Sequence, residues 1–399
     1  MFSHHHWIVT STGVRFFTEL YIGESVTPFV EEKGELKRAL GLFEVTLSGI
    51  GIILGAGIYA LIGEAAGLAG NAVWMAFTIS ALVALFTGLS YAELSSMFPK
   101  AGAEYEYTTR AFGRFLAFII GWLISFSGVI AAAAVALGFA GYLSVLSGAP
   151  RVPSALVLVA LLSAVNFIGI KQSAWVAVVF TLIEALGLIL AISACIVLYI
   201  LVALCSVSIS GWQKLSHSAA PFADIAFAAL GQNASSIISV MALFAIANSA
   251  LFMLLASSRV VYGMAESGSL PGKLARVHPV TRTPWVAILL SMGFCMAFVL
   301  LNDINFVANV NNFTLFITFV VVNAALIVLR YKMPDMPRPF RVPISLGRLS
   351  LLPVLGIVFN IFMLLQLSLQ VLTIGLALTA LGGLAAIYGE RTIKHFHQT

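Results

Sequence analysis

The chain has 399 residues, of which 60% are hydrophobic and only 9% are charged, and its formal net charge is +5. A soluble domain carries about 25% charged residues, so this composition excludes an ordinary soluble protein and indicates an all-α polytopic membrane protein. The sequence contains no paired nucleophile and base, no metal-ligand cluster and no phosphate-binding loop. We therefore expect no enzyme, no bound cofactor or metal, and no nucleic-acid partner.

Ten apolar runs are long enough to cross about 30 Å of hydrocarbon. They lie at about 44–66, 70–97, 112–146, 153–169, 174–209, 236–257, 284–301, 304–329, 350–367 and 369–388. This pattern predicts one transmembrane domain over 41–388, in contact with the lipid bilayer. An N-terminal tail, 1–40, precedes this domain, and a C-terminal tail, 389–399, follows it.

The distribution of lysine and arginine predicts the orientation of these spans, because these residues concentrate in the cytoplasmic loops of membrane proteins. With ten spans, all large basic clusters fall on one side, and the opposite loops hold only Arg151 and Lys214. As one helix, the segment 174–209 would rise about 54 Å, which is more than a membrane requires. Two crossings, however, would place the basic loop 259–282 outside, so a single overlong helix is predicted. Both termini are therefore predicted to be cytoplasmic in a cell-membrane protein, with residues 210–235 outside.

Glycines interrupt the first span in the stretch "GIGIILGAGIYALIG", residues 49–63. Gly51 and Gly55 have a spacing that lets membrane helices pack closely. Alternatively, the helix is broken here, because unwound backbone is tolerated in a membrane where it lines a cavity. The resumed half-helix would then attract a carboxylate, and the unwound carbonyls would attract an ammonium group. The residues alone favour the two interpretations about equally.

Glu184 is an acidic residue deep inside a predicted span, about 15 Å from its start. A charge at this depth is costly, so an ionisable residue here is a candidate for function. Glu184 either carries a coupled proton or stays protonated and bonded to a neighbouring carbonyl. The sequence alone leaves both roles open.

The chain resembles the amino acid–polyamine–organocation (APC) transporter superfamily over residues 35–390, because it contains four of the superfamily's motifs in the same order along the chain. They are "GIILGAGIYALIG", "YAELSSMFPKAGAEYEYTTRAFG", "SSRVVYGMAESGSLPGKLARVHPVTRTPW" and "VNAALIVLRYKMPDMPRPFRVP". In this superfamily the first motif is a broken first helix, and the second opens a cytoplasmic amphipathic helix. The resemblance implies the fold of the sodium-coupled leucine transporter, with two inverted five-helix repeats and two extra helices.

The resemblance also implies a substrate site for an amino acid at the broken helix. The backbone amides of Ala56 and Gly57 would hold the carboxylate, Gly55 would allow close approach, and the carbonyl of Ile53 would accept from the ammonium group. Many relatives have serine or threonine at the position of Ala56, so a hydroxyl contact is lost here.

Further site residues follow from the resemblance in the fifth and eighth family helices. Glu184 stands where some proton-coupled relatives have a lysine, which implies a role in proton coupling together with Ser249. Asn248 would lie near the same site. Phe252 falls where some relatives place an aromatic residue over the substrate, although plain core packing explains it equally well. The implied function is secondary active amino acid transport, by proton-coupled symport or by exchange.

The chain departs from its relatives, which have twelve helices, in the middle of its sequence. The stretch "SAWVAVVFTLIEALGLILAI" resembles the fifth family helix, and "IVLYILVALCSVSI" resembles the latter part of the seventh. They join directly near 192–196, so the sixth family helix, which is also broken in relatives, is expected to be missing. Two hypotheses follow: an amino acid transporter that tolerates this loss, or a transport-incompetent truncated permease that serves as an accessory or binding protein.

Overall fold

The computed structural model describes residues 55–98, 103–169 and 195–396, and all of them belong to one packed unit of the chain. In chain order the helices are α1 (Ala56–Tyr59), α2 (Ile62–Ala69), α3 (Val73–Met97), α4 (Ala103–Phe112), α5 (Arg114–Ser147), α6 (Arg151–Ile168), α7 (Cys195–Ser210), α8 (Trp212–Ser216), α9 (Pro221–Leu230), α10 (Gln232–Glu266), α11 (Trp285–Val299), α12 (Ile304–Lys332), α13 (Leu351–Leu365) and α14 (Leu369–Phe396). A short hairpin, β1 (Ser345–Leu346) and β2 (Leu349–Ser350), precedes α13.

Six helical stretches of the described chain are long and apolar enough to cross a membrane. They are Ile62–Met97, Arg114–Ser147, Arg151–Ile168, Gln232–Glu266, Ile304–Lys332 and Leu369–Ile387. Shorter apolar helices cover Ile200–Ser210, Pro221–Leu230, Trp285–Val299 and Leu351–Leu365. A helix satisfies its own backbone groups, which is the condition for crossing lipid. The described chain is therefore mostly helical and has several candidate spans, which agrees with the expected polytopic membrane protein.

The expected number of ten spans stays a prediction. The predicted spans 44–66 and 174–209 lie partly outside the described residues. Two others, 284–301 and 350–367, correspond to helices of 15 residues, which rise only about 22 Å. At the C-terminal end, α14 begins at Leu369 as predicted but continues to Phe396, past the predicted start of the tail at 389.

Two of the longest helices, α5 and α10, pack against each other along the centre of the described fold. Small residues allow their close approach, as at many membrane helix interfaces. A β-carbon on Gly128 would lie 3.0 Å from the carbonyl oxygen of Met253 and 3.0 Å from the Cβ of Ser257. The Ser257 hydroxyl donates to the carbonyl of Ser125 at 2.7 Å. These contacts fix the face of α10 that points into the fold.

The predicted outer loop 210–235 contains two short helices, α8 and α9, which the sequence did not predict. Helix α8 packs against α2, and a β-carbon on Gly63 would lie 2.7 Å from the carbonyl oxygen of Leu215. Pro221 stands at the start of α9, where its missing N–H costs no helical hydrogen bond. This segment therefore covers the half-helix that follows the glycine-rich motif.

A buried ion pair joins α3 to α12. Arg330 donates from Nε to Glu93 at 3.0 Å and from Nη2 at 2.5 Å, and the two side chains are 2% and 0% exposed. The backbone N–H of Val342 also donates to Glu93, at 2.7 Å, and Arg338 lies 3.5 Å from it. The carboxylate therefore holds the loop after α12 against the rest of the fold.

Replacing Arg330 with methionine is expected to lower the free energy of unfolding by about 3 kcal/mol, because it leaves a buried carboxylate without its main partner. Chemical unfolding in neutral detergent measures this change. Arg276→Met is the matched control, since Arg276 is exposed and its loss should cost less than about 0.5 kcal/mol. Equal stability of the two variants would contradict the role given to the ion pair.

Candidate functional site

The candidate site begins where the glycine-rich motif becomes helical. Gly55 is buried and forms a bend, and α1 starts at the next residue. The first hydrogen bond of this helix runs from the N–H of Tyr59 to the carbonyl of Gly55, at 3.2 Å. The N–H groups of Ala56, Gly57 and Ile58 precede it, and such groups have no partner within their own helix. They carry partial positive charge that favours an anion.

A second interruption follows only four residues later. The turn at Ala60 and Leu61 separates α1 from α2. Tyr142 of α5 donates its hydroxyl proton to the carbonyl of Tyr59 at 3.0 Å, and the same hydroxyl accepts from the N–H of Phe222 at 3.1 Å. Tyr142 therefore satisfies a carbonyl at the interruption and ties it to α5 and α9.

Close packing holds α1 against α5. A β-carbon on Gly138 would lie 2.6 Å from the Cβ of Ala60, so α5 requires glycine here. The rings of Tyr59 and Phe222 lie 5.1 Å apart and tilted by 52°, a favourable aromatic geometry. The end of α1 and the turn after it are thus fixed on one side by α5 and α9.

Helix α10 also contacts α1 and carries three of the predicted site residues. Asn248 and Ser249 are fully buried, and the Ser249 hydroxyl donates to the carbonyl of Ala245 at 3.3 Å. Phe252 is half-buried against the same hydrophobic core as Tyr59. That contact also fits the alternative that Phe252 is a plain core residue.

The structure brings some of the predicted site residues into one region and does not describe others. Gly55, Ala56 and Gly57 are at the start of α1, and α10, with Asn248, Ser249 and Phe252, packs beside that helix. Ile53 and Glu184 lie outside the described residues, as does most of the predicted junction at 192–196. The roles of all these residues therefore stay predictions.

Two polar residues in this part of the fold were missed by the sequence interpretation. Tyr142 was treated as part of an apolar span, although an isolated tyrosine hydroxyl in such a span was a usable signal. Arg259 was placed beyond the span 236–257, but α10 continues to Glu266. The Nε and Nη1 atoms of Arg259 are buried and have no hydrogen-bond partner among the described residues.

The described residues contain no group of three or more histidine, cysteine or acidic side chains placed to hold a metal ion. The site is instead built from helix ends, backbone groups and small residues. Such an arrangement can bind a small polar molecule but offers no group for bond-breaking chemistry.

Comparison with known families decides what kind of protein carries this arrangement. The sequence profile described as "Amino acid permease" matches residues 40–192 and 185–375. The chain belongs to the amino acid permease family. It is therefore a multi-pass membrane protein of the APC superfamily, as its motifs indicated. The family consists of transporters, so the expectation that the chain is not an enzyme is confirmed.

Three relatives from Bacillus subtilis (strain 168) illustrate the range of this similarity. The branched-chain amino acid permease is 28% identical over 84% of this chain and 89% of its own length. The methylthioribose transporter is 28% identical over 77% of this chain and 84% of its own length. The serine/threonine exchanger is 25% identical over 91% of this chain and 99% of its own length.

These matches do not align the chain with its relatives without a break. The permease profile matches in two separate pieces, which overlap on this chain at 185–192. The alignment with the branched-chain permease extends over 417 positions, although only 84% of the 399 residues of this chain take part. The alignment with the serine/threonine exchanger extends over 444 positions. Both relatives therefore contain residues that have no counterpart in this chain.

Proposed function

We propose that this permease is a secondary active transporter of free amino acids that holds its substrate at the start of α1. The observation that carries the proposal is the position of that helix. It begins directly after a buried glycine and packs against both α5 and α10, and α10 carries Asn248 and Ser249. The family assignment and the amino acids named for two of the relatives support the same class of substrate.

Recognition at this site would use backbone groups for the part of the substrate common to all amino acids. The N–H groups of Ala56 and Gly57 face the direction from which the helix starts, so they would donate to the carboxylate. The carbonyl of Ile53 would accept from the ammonium group, and Gly55 would keep side-chain bulk away. Asn248 and Phe252 of α10 would form the facing wall of the site.

The surrounding architecture is proposed to be the inverted-repeat fold of the sodium-coupled leucine transporter. The chain would cross the cell membrane ten times, with both termini in the cytoplasm. The position of the basic residues supports this orientation. The outer helices would face lipid, in keeping with the many large apolar side chains that α3, α13 and α14 leave exposed.

Coupling to protons is proposed to involve Glu184 and Ser249. A carboxyl group in the middle of a membrane resists ionisation because charge is poorly solvated there. It can therefore exchange a proton as the site opens to one side and then the other. Ser249, which is fully buried on α10, would share this proton-binding region.

Glu184→Gln is expected to make uptake into proteoliposomes independent of an imposed pH gradient while leaving amino acid exchange largely intact, because the amide cannot release a proton. Radiolabelled uptake and exchange, each with and without the gradient, measure this separation. Glu266→Gln is the control, since Glu266 is an exposed residue at the end of α10. If uptake by Glu184→Gln depends on the pH gradient as it does in the unmodified chain, Glu184 has only a structural role.

A second candidate function is favoured by the interrupted family match. If the sixth family helix is missing and the fold does not tolerate its loss, the chain is a transport-incompetent permease that serves as an accessory or binding protein. The two pieces that overlap at 185–192 support such a loss. Gradient-driven uptake by the unmodified chain separates the two candidates, because an incompetent permease would bind amino acids without accumulating them.

A further inference from the structure

A basic cavity lies at the end of α12, away from the proposed amino acid site. Its volume is about 360 Å³, and it is formed by the end of the helix, the loop that follows and the β1–β2 hairpin. The charged residues that line it are Arg330, Arg338, Arg341, Arg348 and Asp335. Four guanidinium groups therefore share one small cavity with one lining carboxylate.

The nearby acidic residues do not balance this charge. Glu93 is the shared partner of Arg330 and Arg338, so one carboxylate faces two guanidinium groups. Burial is the main cause that lowers the pKa of Arg338; Glu93 opposes the shift, while Arg330 and Arg341 add to it. The interior of the cavity thus keeps an excess positive charge.

The remaining two arginines are available to a ligand. Arg341 and Arg348 are exposed, and within the described ranges their side chains make no ion pair or hydrogen bond with the protein. A guanidinium group binds phosphate through two parallel N–H donors, which makes arginine the preferred residue for such anions. A phosphate group in the cavity would supply the missing negative charge.

Exposed apolar side chains lie in the same loop and hairpin as two of the arginines that line the cavity. Phe340, Ile344 and Leu346 are 38%, 62% and 68% exposed, although they stand in the same loop and hairpin as Arg341 and Arg348. Ile344 has a φ of 58°, which is unfavourable for a β-branched residue. Exposed apolar side chains beside arginines are typical of the membrane interface, where the former enter the acyl region and the latter meet headgroups.

We propose that this cavity binds the phosphate of an anionic lipid headgroup. The cavity starts where α12, one of the candidate membrane helices, ends at Lys332, so it lies at the depth of the headgroups. Basic pockets at this level bind anionic lipids in other membrane proteins. A free phosphate shares the same charge, but the exposed apolar side chains of the same loop and hairpin favour a ligand that also has acyl chains.

The test is lipid binding to the purified full chain by native mass spectrometry, titrated with phosphatidylglycerol or with phosphatidylcholine. The chain is expected to prefer phosphatidylglycerol. The double variant Arg341→Gln/Arg348→Gln should bind it about 25-fold more weakly, since each arginine contributes about fivefold to the attraction. Inorganic phosphate at millimolar concentration should not displace the lipid.

The double variant Lys273→Gln/Arg276→Gln is the matched control. It removes the same charge from two other exposed positions and should keep full affinity. Equal weakening in both double variants, no weakening in either, or displacement of the lipid by inorganic phosphate would each overturn the proposal. Unfolding curves that match the unmodified chain verify that both variants are folded. Because no amino acid is present, the result is independent of the transport proposal.

Discussion

Amino acid uptake is expected to rise by at least about tenfold when the missing segment of a relative is inserted between Ile192 and Ile196. The segment would come from the branched-chain permease or the serine/threonine exchanger and would contain the sixth family helix, its loop and the start of the seventh. The unmodified chain should take up amino acids slowly but measurably faster than empty proteoliposomes. Initial rates with a panel of radiolabelled amino acids measure the difference.

The physical reason lies in how this fold encloses its substrate. In the proposed fold the substrate lies between two broken helices, and the second helps to close the site and takes part in the rocking motion. Without it, the backbone groups around Gly55 and Gly57 would face a cavity with one wall missing. If that cavity stays dry, unpaired groups cost several kcal/mol. If water enters, hydrogen bonds to the substrate gain little over those to water.

An insertion of the same length and composition but scrambled sequence is the control for this experiment. It should insert into the membrane without restoring uptake, because it lacks the residues that close the site. Strong gradient-driven uptake by the unmodified chain would contradict the expectation. It would mean that another helix closes the substrate site in place of the sixth family helix. The unmodified chain would then be an effective amino acid transporter, which is the first of the two candidate functions.

Gly57→Leu is expected to weaken amino acid binding by at least about 100-fold. Gly57 is half-buried in the first turn of α1, and the added side chain would occupy the space proposed for the substrate carboxylate. Folding should survive, because leucine has a better helix propensity than glycine. Scintillation proximity binding of labelled amino acid to purified protein measures the loss.

Gly293→Leu is the matched control for this substitution. Gly293 lies in helix α11, and a β-carbon added there would meet no atom within 4 Å. The control should therefore bind amino acid as the unmodified chain does. If Gly57→Leu also binds normally, the glycines of the motif serve helix packing only, which is the interpretation the sequence left open.

Much of the membrane architecture was predictable because apolar length is a local property. The helix that the resemblance implies within the second motif is present as α4, and α14 begins at Leu369 as predicted. The ends of long helices were less predictable. Helix α10 extends to Glu266 because polar residues at a helix end can pack inside the protein, which an apolar-run criterion does not detect.

Contacts between distant parts of the chain were not predictable from the residues alone. Glu93 was expected merely at the end of a span, but it is buried against Arg330, which lies 237 residues later. Nothing in the local sequence around either residue identifies the other. The local sequence also gives no sign of the hydrogen bond that the Tyr142 hydroxyl, in α5, donates to the carbonyl of Tyr59, in α1.

The candidate site was predictable in its motif but not in its surroundings. The family resemblance identified Gly55 and Gly57 as site residues, and the structure places a helix start there. The role of Gly138 in α5 could not be inferred, because it depends on the close approach of Ala60. The role of such a small residue can be recognised only when the helices that face it are known.

The central claim is that this permease recognises both charged groups of a free amino acid at the start of α1, and competition binding tests it most directly. Labelled leucine would be displaced from the purified, unmodified chain by unlabelled leucine, by its decarboxylated amine or by its α-keto acid. We expect leucine to compete and each analogue to be about 10- to 100-fold weaker, since each lacks one charged hydrogen-bonding group. Equal competition by the amine and the amino acid, or binding of leucine that Gly57→Leu leaves unchanged, would contradict this claim.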